Sequence, residues 1–558
     1  MNVNEHIQAL RDSIAVAERD NKWERVDELC SALRRIDPDP VIQHKHAIAL
    51  MHIGDRARAA TILRRLINQY DFSTDARYHL AEIYVFQKRF KDAKQHLKII
   101  LKIEPDHVLA LRRIGKIEHD LNEYEAAEAH LRHLLALEPD DVEGGLLLGA
   151  VLANDKKRYA EAELVFRHVL QIAPDSPSAL HNYGLLKRFQ GDLDAADDYL
   201  SKACALYPNE SDFAFSLGIC KMFREDMQSA NGWFNRAVEI KPDNKAAQVY
   251  IAFSLFLLGK VREGWAQYEK RLDLDVLRNA KYERPRWNGE DVSEKPVLLI
   301  SEQGMGDNIQ FIRYVPLLLE RGAIVIVATH EALVDLFKTI DGLEHVMAAI
   351  PDPKYFYRYC PIMSLPYVFG TDADTIPNKV PYLYAPEHAK EKWHAKMKSF
   401  TGLKVGLCWR GNSNHTNDYF RSSSLEEMRT FLSFDDVMFF CLSKSLPEDE
   451  QNLPDQIVNI GAEFETFSDL AGAMDTLDLV ITVDTAVCHL AGAMGRPVWT
   501  MIARGPDFRW GLKGETTAWY PTMKLYRQSV LGDWTGPIQR MYDDLSKMQV
   551  MSKAGALP

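Results

Sequence analysis

The sequence predicts an α region followed by an α/β region, with helical repeats preceding two domains built on parallel sheets. Three observations support this prediction. Proline-containing turns recur, since Pro105, Pro139, Pro174, Pro208 and Pro242 lie 34, 35, 34 and 34 residues apart. Past residue 275 this rhythm ends, and short β-branched runs alternate with helical stretches, which is typical of parallel sheets covered by helices. These runs fall into two sets, separated by a charged helical segment at 386–402.

Small residues mark two fixed points in each repeat. The first set is Ala47, Ala81, Gly115, Gly149, Gly184, Gly218 and Ala252. The second set follows twelve residues later at Ala59, Ala93, Ala127, Ala196, Ala230 and Gly264, with Ala162 one step later in the repeat that has an extra residue. Small residues let the two helices of each unit pack closely, and proline ends the second helix because it lacks an N–H.

This pattern resembles the tetratricopeptide repeat and covers residues 1–275, with about eight repeats. The resemblance implies an all-α superhelix whose concave face docks a protein partner, and a structural or oligomerisation scaffold is the alternative. The related O-GlcNAc transferases carry an asparagine ladder two residues before the small landmark. Here those positions hold Lys45, His79, Arg113, Leu147, Asn182, Ser216 and Tyr250. Gripping of a peptide backbone by stacked amides is therefore not expected.

The change of pattern sets the domain boundaries. We predict a linker at 276–295, a first Rossmann-like domain at 296–385, a bridging helix at 386–402 and a second Rossmann-like domain at 403–558. The strand candidates are 297–301, 323–328, 345–349, 403–409, 437–442, 457–460, 479–483 and 497–502. Such a pair of domains leaves a cleft at the carboxyl ends of the strands, where open α/β sheets bind ligands.

Composition excludes several classes of protein. A net charge of −12 without a basic stripe argues against nucleic acid as a partner. Seven scattered cysteines without a CxxC pair favour a reducing compartment over a disulfide framework or a zinc site. The charged N-terminus does not read as a signal peptide, and no apolar run approaches the roughly 20 residues that span a bilayer. We therefore expect a cytoplasmic protein without a membrane span.

The segment LVITVDTAVCHLAGAMGRPVWTMI at 479–502 reads as a strand, a helix and a second strand. The helix begins near Asp484 and Thr485, where unpaired backbone N–H groups and the positive end of the helix dipole predict an anion site. The hydroxyl of Thr485 adds a donor. The structural alternative is that Asp484 only caps the helix and that His489 only packs in the core.

Residues 300–310 read ISEQGMGDNIQ and follow an apolar run that predicts a strand. Glycines let a ligand approach the backbone closely, and a carboxylate at a strand-to-helix turn points into the cleft. Asp307 is therefore a candidate catalytic base, and a helix-cap role is the alternative. Because a helix start favours the ionised carboxylate, a base at this place needs compensating burial.

A third segment, VGLCWRGNSNHTNDYFRSSSLEEM at 405–428, opens the second α/β domain. After the strand, a polar loop offers cationic and amide side chains that suit phosphates, and a solvated loop is the alternative. The loop residues predicted to bind a donor are Arg410, Asn412, His415, Asn417, Asp418 and Arg421. Trp510, Trp519 and Tyr520 either wall the same pocket or close the fold.

The segment at 484–493 resembles the D-T-[GA]-x-x-H-[LI]-[AT]-[AG]-A signature of the bacterial heptosyltransferase family of GT-B glycosyltransferases. That family also begins its first domain with a loop ending M-G-D, as at 305–307. The resemblance implies a GT-B fold, a catalytic-base role for Asp307, and a donor-binding set of Gly306, Asp484, Thr485, Ala486 and His489 together with the loop residues. The loop and the repeats also resemble bacterial proteins that join tetratricopeptide repeats to a heptosyltransferase-like domain, over almost the entire chain.

The sequence offers no DxD motif at a strand end and no metal-ligand spacing. The GT-B resemblance implies that the helix dipole and basic side chains act on the leaving group instead. We therefore predict no metal and no cofactor, with a nucleotide sugar as co-substrate.

These resemblances imply a protein O-glycosyltransferase that modifies Ser or Thr of a docked protein with inversion. Flagellin-modifying transferases have this build, so flagellin is the suspected acceptor. The donor is a CMP-nonulosonate such as pseudaminic acid, an NDP-hexosamine or an NDP-heptose. The alternatives are a non-catalytic adaptor and a heptosyltransferase-like enzyme acting on a glycolipid.

Overall fold

The computed structural model describes residues 3–70, 74–273, 283–412, 418–505 and 507–553. These residues divide into two compact units, with the division between Gln190 and Gly191. The predicted donor-site residues His415 and Asn417 lie outside the described residues. The predicted change of domain at 275–296 falls within the second unit.

The first unit consists of helices that pack in consecutive pairs. Within the described residues, five of them begin where a polar side chain accepts a backbone N–H group, as Asp141 does from Gly144 at 2.6 Å. A short 3₁₀ turn, Lys156–Arg158, takes up the extra residue of its repeat. The helices are α1 Val3–Arg19, α2 Trp23–Leu33, α3 Pro40–His52, α4 Arg56–Gln69, α5 Thr74–Phe86, α6 Phe90–Ile103, α7 Val108–Asp120, α8 Tyr124–Leu137, α9 Val142–Leu152, α10 Tyr159–Ile172 and α11 Pro177–Phe189.

The small landmarks of the repeats are buried at helix contacts. A methyl group added at Gly149 would lie 2.5 Å from the ring of Phe166. The same holds in the second unit, where a methyl group at Gly218 would lie 2.5 Å from Phe234. These distances confirm that the small residues allow the close packing of paired helices.

The second unit begins with repeat helices that share a core with the sheets. These helices are α12 Leu193–Leu206, α13 Ser211–Phe223, α14 Met227–Ile240, α15 Lys245–Leu257 and α16 Val261–Tyr268. Phe256 and Trp265 from this segment belong to the same buried cluster as Leu299 of the first sheet and Val480 of the second. The last repeat helices and both sheets therefore form one continuous hydrophobic core.

The first sheet has four parallel strands in the order β3-β2-β1-β4. The strands are β1 Pro296–Ile300, β2 Ile324–Ala328, β3 His345–Met347 and β4 Arg358–Pro361, and the helices are α17 Met305–Phe311, α18 Val315–Glu320, α19 Val334–Phe337 and α20 Leu365–Val368. Strand β4 was not among the sequence candidates. It is short, starts with arginine and ends in proline, so it lacks the β-branched run that marks the others.

The second sheet has six parallel strands in the order β10-β9-β8-β5-β6-β7. The strands are β5 Leu403–Cys408, β6 Val437–Cys441, β7 Ile457–Asn459, β8 Leu479–Val483, β9 Val498–Ile502 and β10 Met523–Arg527. The helices are α21 Glu387–Met397, α22 Asp418–Arg421, α23 Leu425–Met428, α24 Phe467–Asp475, α25 Ala486–Ala493 and α26 Thr535–Lys553. Strand β10, MKLYR, also escaped the sequence criteria because its charged residues mask the apolar ones.

The helix in the predicted bridge, α21, packs against α24. Its Trp393 is buried, and the indole N–H donates to Oδ1 of Asp469 at 3.1 Å. All seven cysteines lie within the described residues as buried free thiols. Among the described residues, no helix combines the length and the apolar character that a bilayer crossing requires.

Candidate functional site

Both α/β halves place a motif at the point where the strand order reverses. In the first sheet β1 lies between β2 and β4, and β1 leads to Gly304 at the end of a loop and to Asp307 in the first turn of α17. In the second sheet β5 lies between β6 and β8, and these strands lead to Arg410 and Asp484. Open parallel sheets bind ligands at such switch points, outside the carboxyl ends of the strands.

One cavity of about 920 Å³ joins the two switch points. Its size falls in the range of ligand sites, which is roughly 300–1,000 Å³. The predicted site residues that line it are Gly306, Asp307, Arg410, Asn412, Arg421, Asp484, Thr485, Ala486 and His489. The tertiary structure thus brings together motifs that lie up to about 180 residues apart in the sequence.

Asp307 both supports the helix start and faces the cavity. It is the third residue of α17, and its Oδ2 accepts the N–H of Gly304 at 3.0 Å. Its Oδ1 accepts a hydrogen bond from Nη2 of Arg509 at 2.5 Å. A carboxylate offers about four lone-pair sites. The carboxylate therefore takes part in the helix start and the ion pair while it lines the cavity.

Arg509 links the two α/β halves at the cavity. Its side chain is nearly buried and also donates to Asp507 at 2.8 Å and to the side-chain oxygen of Gln310. Burial by itself lowers the pKa of the guanidinium, but the carboxylates of Asp507 and Asp307 outweigh burial and raise the pKa. Arg509 is thus a permanent positive charge between two acidic groups.

The start of α25 forms the floor of the predicted anion site. Thr485, not Asp484, is the N-cap residue, and its hydroxyl accepts the N–H of Val487 at 3.2 Å. The cap-only interpretation of Asp484 is therefore wrong. Burial raises the pKa of Asp484, and the nearby carboxylate of Asp507 raises it further.

His489 is a buried, neutral imidazole. Burial, followed by the positive charges of Arg509, Arg313 and Arg421, holds the pKa of His489 well below its usual range. Its Nδ1 lies 2.9 Å from the hydroxyl of Tyr520, and its ring stacks on Trp510 at 5.4 Å between centroids. His489 packs in the core and lines the cavity as well, so the two interpretations are not exclusive.

Gly306 is the point where α17 of the first half meets α25 of the second. A methyl group at this residue would lie 2.9 Å from Cδ2 of His489 and 3.3 Å from Cα of Ala486. Gly306 therefore permits a close helix contact, whereas the sequence suggested close approach of a ligand.

The polar loop divides into residues held by the fold and residues directed to the cavity. Arg410 donates twice to Glu450, at 2.7 Å each, so most of its fork is engaged in a structural ion pair. Asp418 accepts from Arg421 at 3.1 Å and from Ser422 at 2.9 Å and braces the loop. Asn412 is exposed at the cavity.

Arg421 carries a buried donor at the cavity. Its Nε has no hydrogen-bond partner among the described residues. Its positive charge lowers the pKa of Asp484, a smaller effect than that of burial, which raises it. At the cavity, the guanidinium groups of Arg421 and Arg509 therefore accompany the N-terminal end of α25.

Asp484, Cys488 and His489 bring three possible metal-ligand atoms within 4.8 Å of one another. The Cys488 thiol donates to the carbonyl of Thr485 at 2.9 Å, and burial raises its pKa well above the usual value. The positive charges of Arg421 and Arg509 lie close by. A protonated thiol beside two guanidinium groups disfavours a bound cation.

Of the three aromatic candidates, Trp510 lines the cavity, whereas Trp519 and Tyr520 are buried in the fold. Sequence reasoning missed Arg509, Asp507 and Lys444 as cavity residues. Arg509 and Asp507 follow β9, and Lys444 follows β6. Each follows a predicted strand, and this position could have identified them as cavity residues, because ligands bind at the carboxyl ends of such strands.

Comparison with known proteins identifies the repeats. Family models described as "Tetratricopeptide repeat" match residues 50–114, 87–151 and 177–210. The chain contains tetratricopeptide repeats. Repeats of this kind form extended surfaces that bind protein partners.

A curated relative matches about half of the chain. Protein FlbA of Caulobacter vibrioides is 24% identical over 330 residues, which is 54% of this chain and 55% of the relative. The chain thus spans about half the length of the curated relative it matches.

Solved structures resemble part of the chain. A tetratricopeptide repeat protein from Parabacteroides merdae covers 45% of this chain and 99% of its own, at 14% identity and a TM-score of 0.37. YrrB, titled a TPR protein with an unusual peptide-binding site, covers 34% of this chain and 96% of its own, at 16% identity and a TM-score of 0.29. The pilus biogenesis factor PilW covers 37% of this chain and 97% of its own, at 22% identity and a TM-score of 0.34.

Proposed function

We propose that the second unit is a glycosyltransferase of the GT-B type, which transfers a sugar from a nucleotide-sugar donor to a Ser or Thr hydroxyl of a protein. The repeats hold this acceptor, and flagellin is the suspected one by resemblance. One observation carries the proposal. The loops at the switch points of two parallel sheets meet in a single cavity, whose lining includes the carboxylate of Asp307, the guanidinium groups of Arg421 and Arg509, and the N-terminus of α25.

The positive side of the cavity suits the phosphate of the donor. Arg421 offers the buried Nε, and the start of α25 offers backbone N–H groups and the hydroxyl of Thr485. His489 is neutral, and its Nδ1 forms a hydrogen bond with the Tyr520 hydroxyl that fixes the ring at the cavity. These groups stabilise the negative charge that develops on the leaving nucleotide without a metal ion.

Asp307 serves as the base in this proposal. The acceptor oxygen forms a bond to the anomeric carbon while the bond from that carbon to the phosphate oxygen breaks. The hydroxyl proton passes to Asp307, and the nucleotide leaves with the bonding electrons, so the anomeric centre inverts. Arg509 orients the carboxylate through its 2.5 Å contact and keeps it facing the cavity.

Transfer activity tests the proposal directly. The full chain is incubated with candidate acceptors, flagellin among them, and a panel of CMP-, UDP-, GDP- and ADP-sugars. We expect an increase in acceptor mass by one sugar with a matching donor, and the same yield in EDTA. Loss of transfer in EDTA with recovery on adding a divalent cation would contradict the metal-independent mechanism. If no donor raises the melting temperature and no acceptor gains mass, the protein is a non-catalytic adaptor.

Substitution of Asp307 tests its role. We expect Asp307→Asn to lower the transfer rate at saturating donor by about 100-fold or more, because a general base contributes about that factor. Donor binding, measured by thermal shift, stays as in the wild type. Asp335→Asn is the matched control, since Asp335 is an exposed carboxylate of the same α/β half that pairs with Lys338 at 2.9 Å. Equal rates for Asp307→Asn and the control would refute the base assignment.

A further inference from the structure

The repeat helices of the second unit build one wall of the cavity. This wall, here called the repeat wall, consists of Met222 and Phe223 from α13 and of Tyr250, Phe253 and Leu257 from α15. On α15 the three residues are spaced by three and four positions, so they share one helix face. Each of the five side chains is apolar or aromatic. The repeat wall therefore suits an uncharged group and disfavours a diphosphate.

We infer that the repeat wall is a subsite for an apolar side chain of the acceptor polypeptide, next to the hydroxyl that receives the sugar. The inference rests on the proposed function, because it names the class of acceptor segment that the cavity takes. The segment is a Ser or Thr flanked by a large apolar or aromatic residue.

The repeat wall adjoins the candidate base. Phe253 stacks on Phe508, with 5.5 Å between ring centroids and 20° between planes. The next residue, Arg509, holds Asp307. On the other side, the hydroxyl of Tyr268 accepts from Nε2 of Gln303 at 3.0 Å, four residues before Asp307. An acceptor whose hydroxyl reaches Asp307 therefore places its neighbouring residues against the repeat wall.

The cavity offers a separate apolar surface for the nucleobase of the donor. The loops after β6 and β7 and the start of α24 line the cavity with Leu442, Phe464, Phe467 and Leu470. They extend from the same sheet as Arg421 and α25, so a nucleotide bound there keeps its base beside its phosphates. Tyr250, in contrast, lies two residues before the small landmark Ala252, at the position where related repeats present an inner face. Tyr250 of the repeat wall thus occupies the register position at which repeats of this kind face a protein segment.

Short synthetic peptides with a single serine test the inference. In one peptide the serine is flanked by alanine, and in the other by phenylalanine on one side. We expect the full-length wild-type protein to favour the phenylalanine peptide about tenfold in kcat/KM for transfer and in affinity by fluorescence polarisation, because burial of an aromatic ring is worth at least that much. Absence of any preference would overturn the inference.

Two leucines of α15 provide matched variants. Both are half-buried and pack against the same hydrophobic cluster of the repeats. Of the two, Leu257 also lines the cavity. We expect Leu257→Ala to reduce the preference to about twofold, and Leu255→Ala to keep the preference. Leu257→Trp fills the subsite. It should therefore weaken binding of the phenylalanine peptide and leave binding of the alanine peptide unchanged.

The outcomes separate the two proposals. Equal effects of Leu257→Ala and Leu255→Ala on the peptide preference would overturn the subsite. Weaker binding of the nucleotide sugar by Leu257→Ala would also overturn it, because the repeat wall would then contact the nucleobase of the donor. If the peptides bind with the expected preference but no sugar is transferred, the subsite stands as a peptide site and the transferase proposal fails.

Discussion

At the scale of single residues, the charge state of His489 is set by its surroundings. The side chain is 5% exposed, and three guanidinium groups act on it through a medium of low dielectric. The folded protein therefore holds the ring neutral at pH values where a free histidine binds a proton. A neutral ring fits the role of a hydrogen-bond donor to phosphate in the proposed site.

This state predicts a dependence of stability on pH. The pKa of His489 is lower in the folded than in the unfolded chain, so its contribution to stability is full above about pH 6.5 and is lost as the pH falls below that value. We expect the melting temperature of wild type to fall between about pH 8 and about pH 5 more steeply than that of His489→Gln. His345→Gln is the control, because His345 is exposed. If the melting temperature falls with pH as steeply in His489→Gln as in wild type and in His345→Gln, the prediction is contradicted.

The arginines of the polar loop show where residue-level prediction fails. Arg410 and Arg421 are both predicted as donor-binding residues from the sequence. Glu450, which lies 40 residues from Arg410, engages that guanidinium from both of its oxygens. Arg421 keeps an unpartnered Nε at the cavity among the described residues. Only the three-dimensional partner distinguishes a structural arginine from a candidate ligand.

At the scale of elements, the contact between α17 and α25 joins the two α/β halves. Gly306 lies at this contact, and its missing side chain allows the start of α25 to approach. Asp307 lies on one of these two helices, and the anion site lies at the start of the other. The geometry of the cavity therefore depends on this glycine.

Substitution of Gly306 tests this dependence. We expect Gly306→Ala to lower the free energy of unfolding by about 1–3 kcal/mol, because the added methyl overpacks the junction. Gly232 is the control, since it lies inside helix α14 with no atom within 4 Å of an added methyl. Gly232→Ala should raise the free energy of unfolding by about 0.5–1 kcal/mol. Denaturant titration measures both, and an unchanged value for Gly306→Ala would contradict the packing argument.

A buried ion-pair network ties the end of the repeats to the loop before Asp307. Arg271 donates to both carboxylate oxygens of Glu302, at 3.0 and 2.7 Å, and to Ser364 at 2.8 Å. Glu302 also accepts the N–H of Met363 at 3.0 Å. Burying such an ion pair costs desolvation energy. The pair also favours a single arrangement of the two segments, because any other arrangement leaves a buried charge without its partner. The segment after α16 therefore helps to position the loop of the candidate base.

At the scale of the whole molecule, the last repeats belong to the same compact unit as both sheets. Trp265 packs edge-on against Phe311 and Trp519, and Phe256 stacks on Phe508 at 4.6 Å. Arg313, buried, donates to the carbonyls of Pro377 and Trp519. The change of sequence pattern near residue 275 is thus not a boundary in the hydrophobic core.

Two fragments test this organisation. We expect residues 191–558 to melt cooperatively, because the fragment keeps the continuous core and the complete cavity. Residues 276–558, cut at the change of pattern, should aggregate or melt at a much lower temperature, because the cut exposes the faces of Phe311, Phe508 and Trp519 that pack on Trp265 and Phe256. Equal melting temperatures for the two fragments, measured by circular dichroism, would refute the shared core.

The sequence by itself determined most of the secondary structure and identified nine of the residues that line the cavity. The 34-residue period gave the repeat helices, and eight of the ten strands followed from short β-branched runs. Local patterns suffice for these features because helix pairs and parallel strands leave their periodicity in the chain. Strands β4 and β10 were missed because proline and charged residues interrupt that signal.

The tertiary structure alone decided which side chains share the cavity. Arg509 pairs with Asp307 across 202 positions of the chain, and the repeat wall meets the sheets through contacts between distant segments. No local pattern records such pairings, because they follow from how whole elements bury their apolar faces against one another. The motifs are local in the sequence, whereas the site that they form is a product of packing.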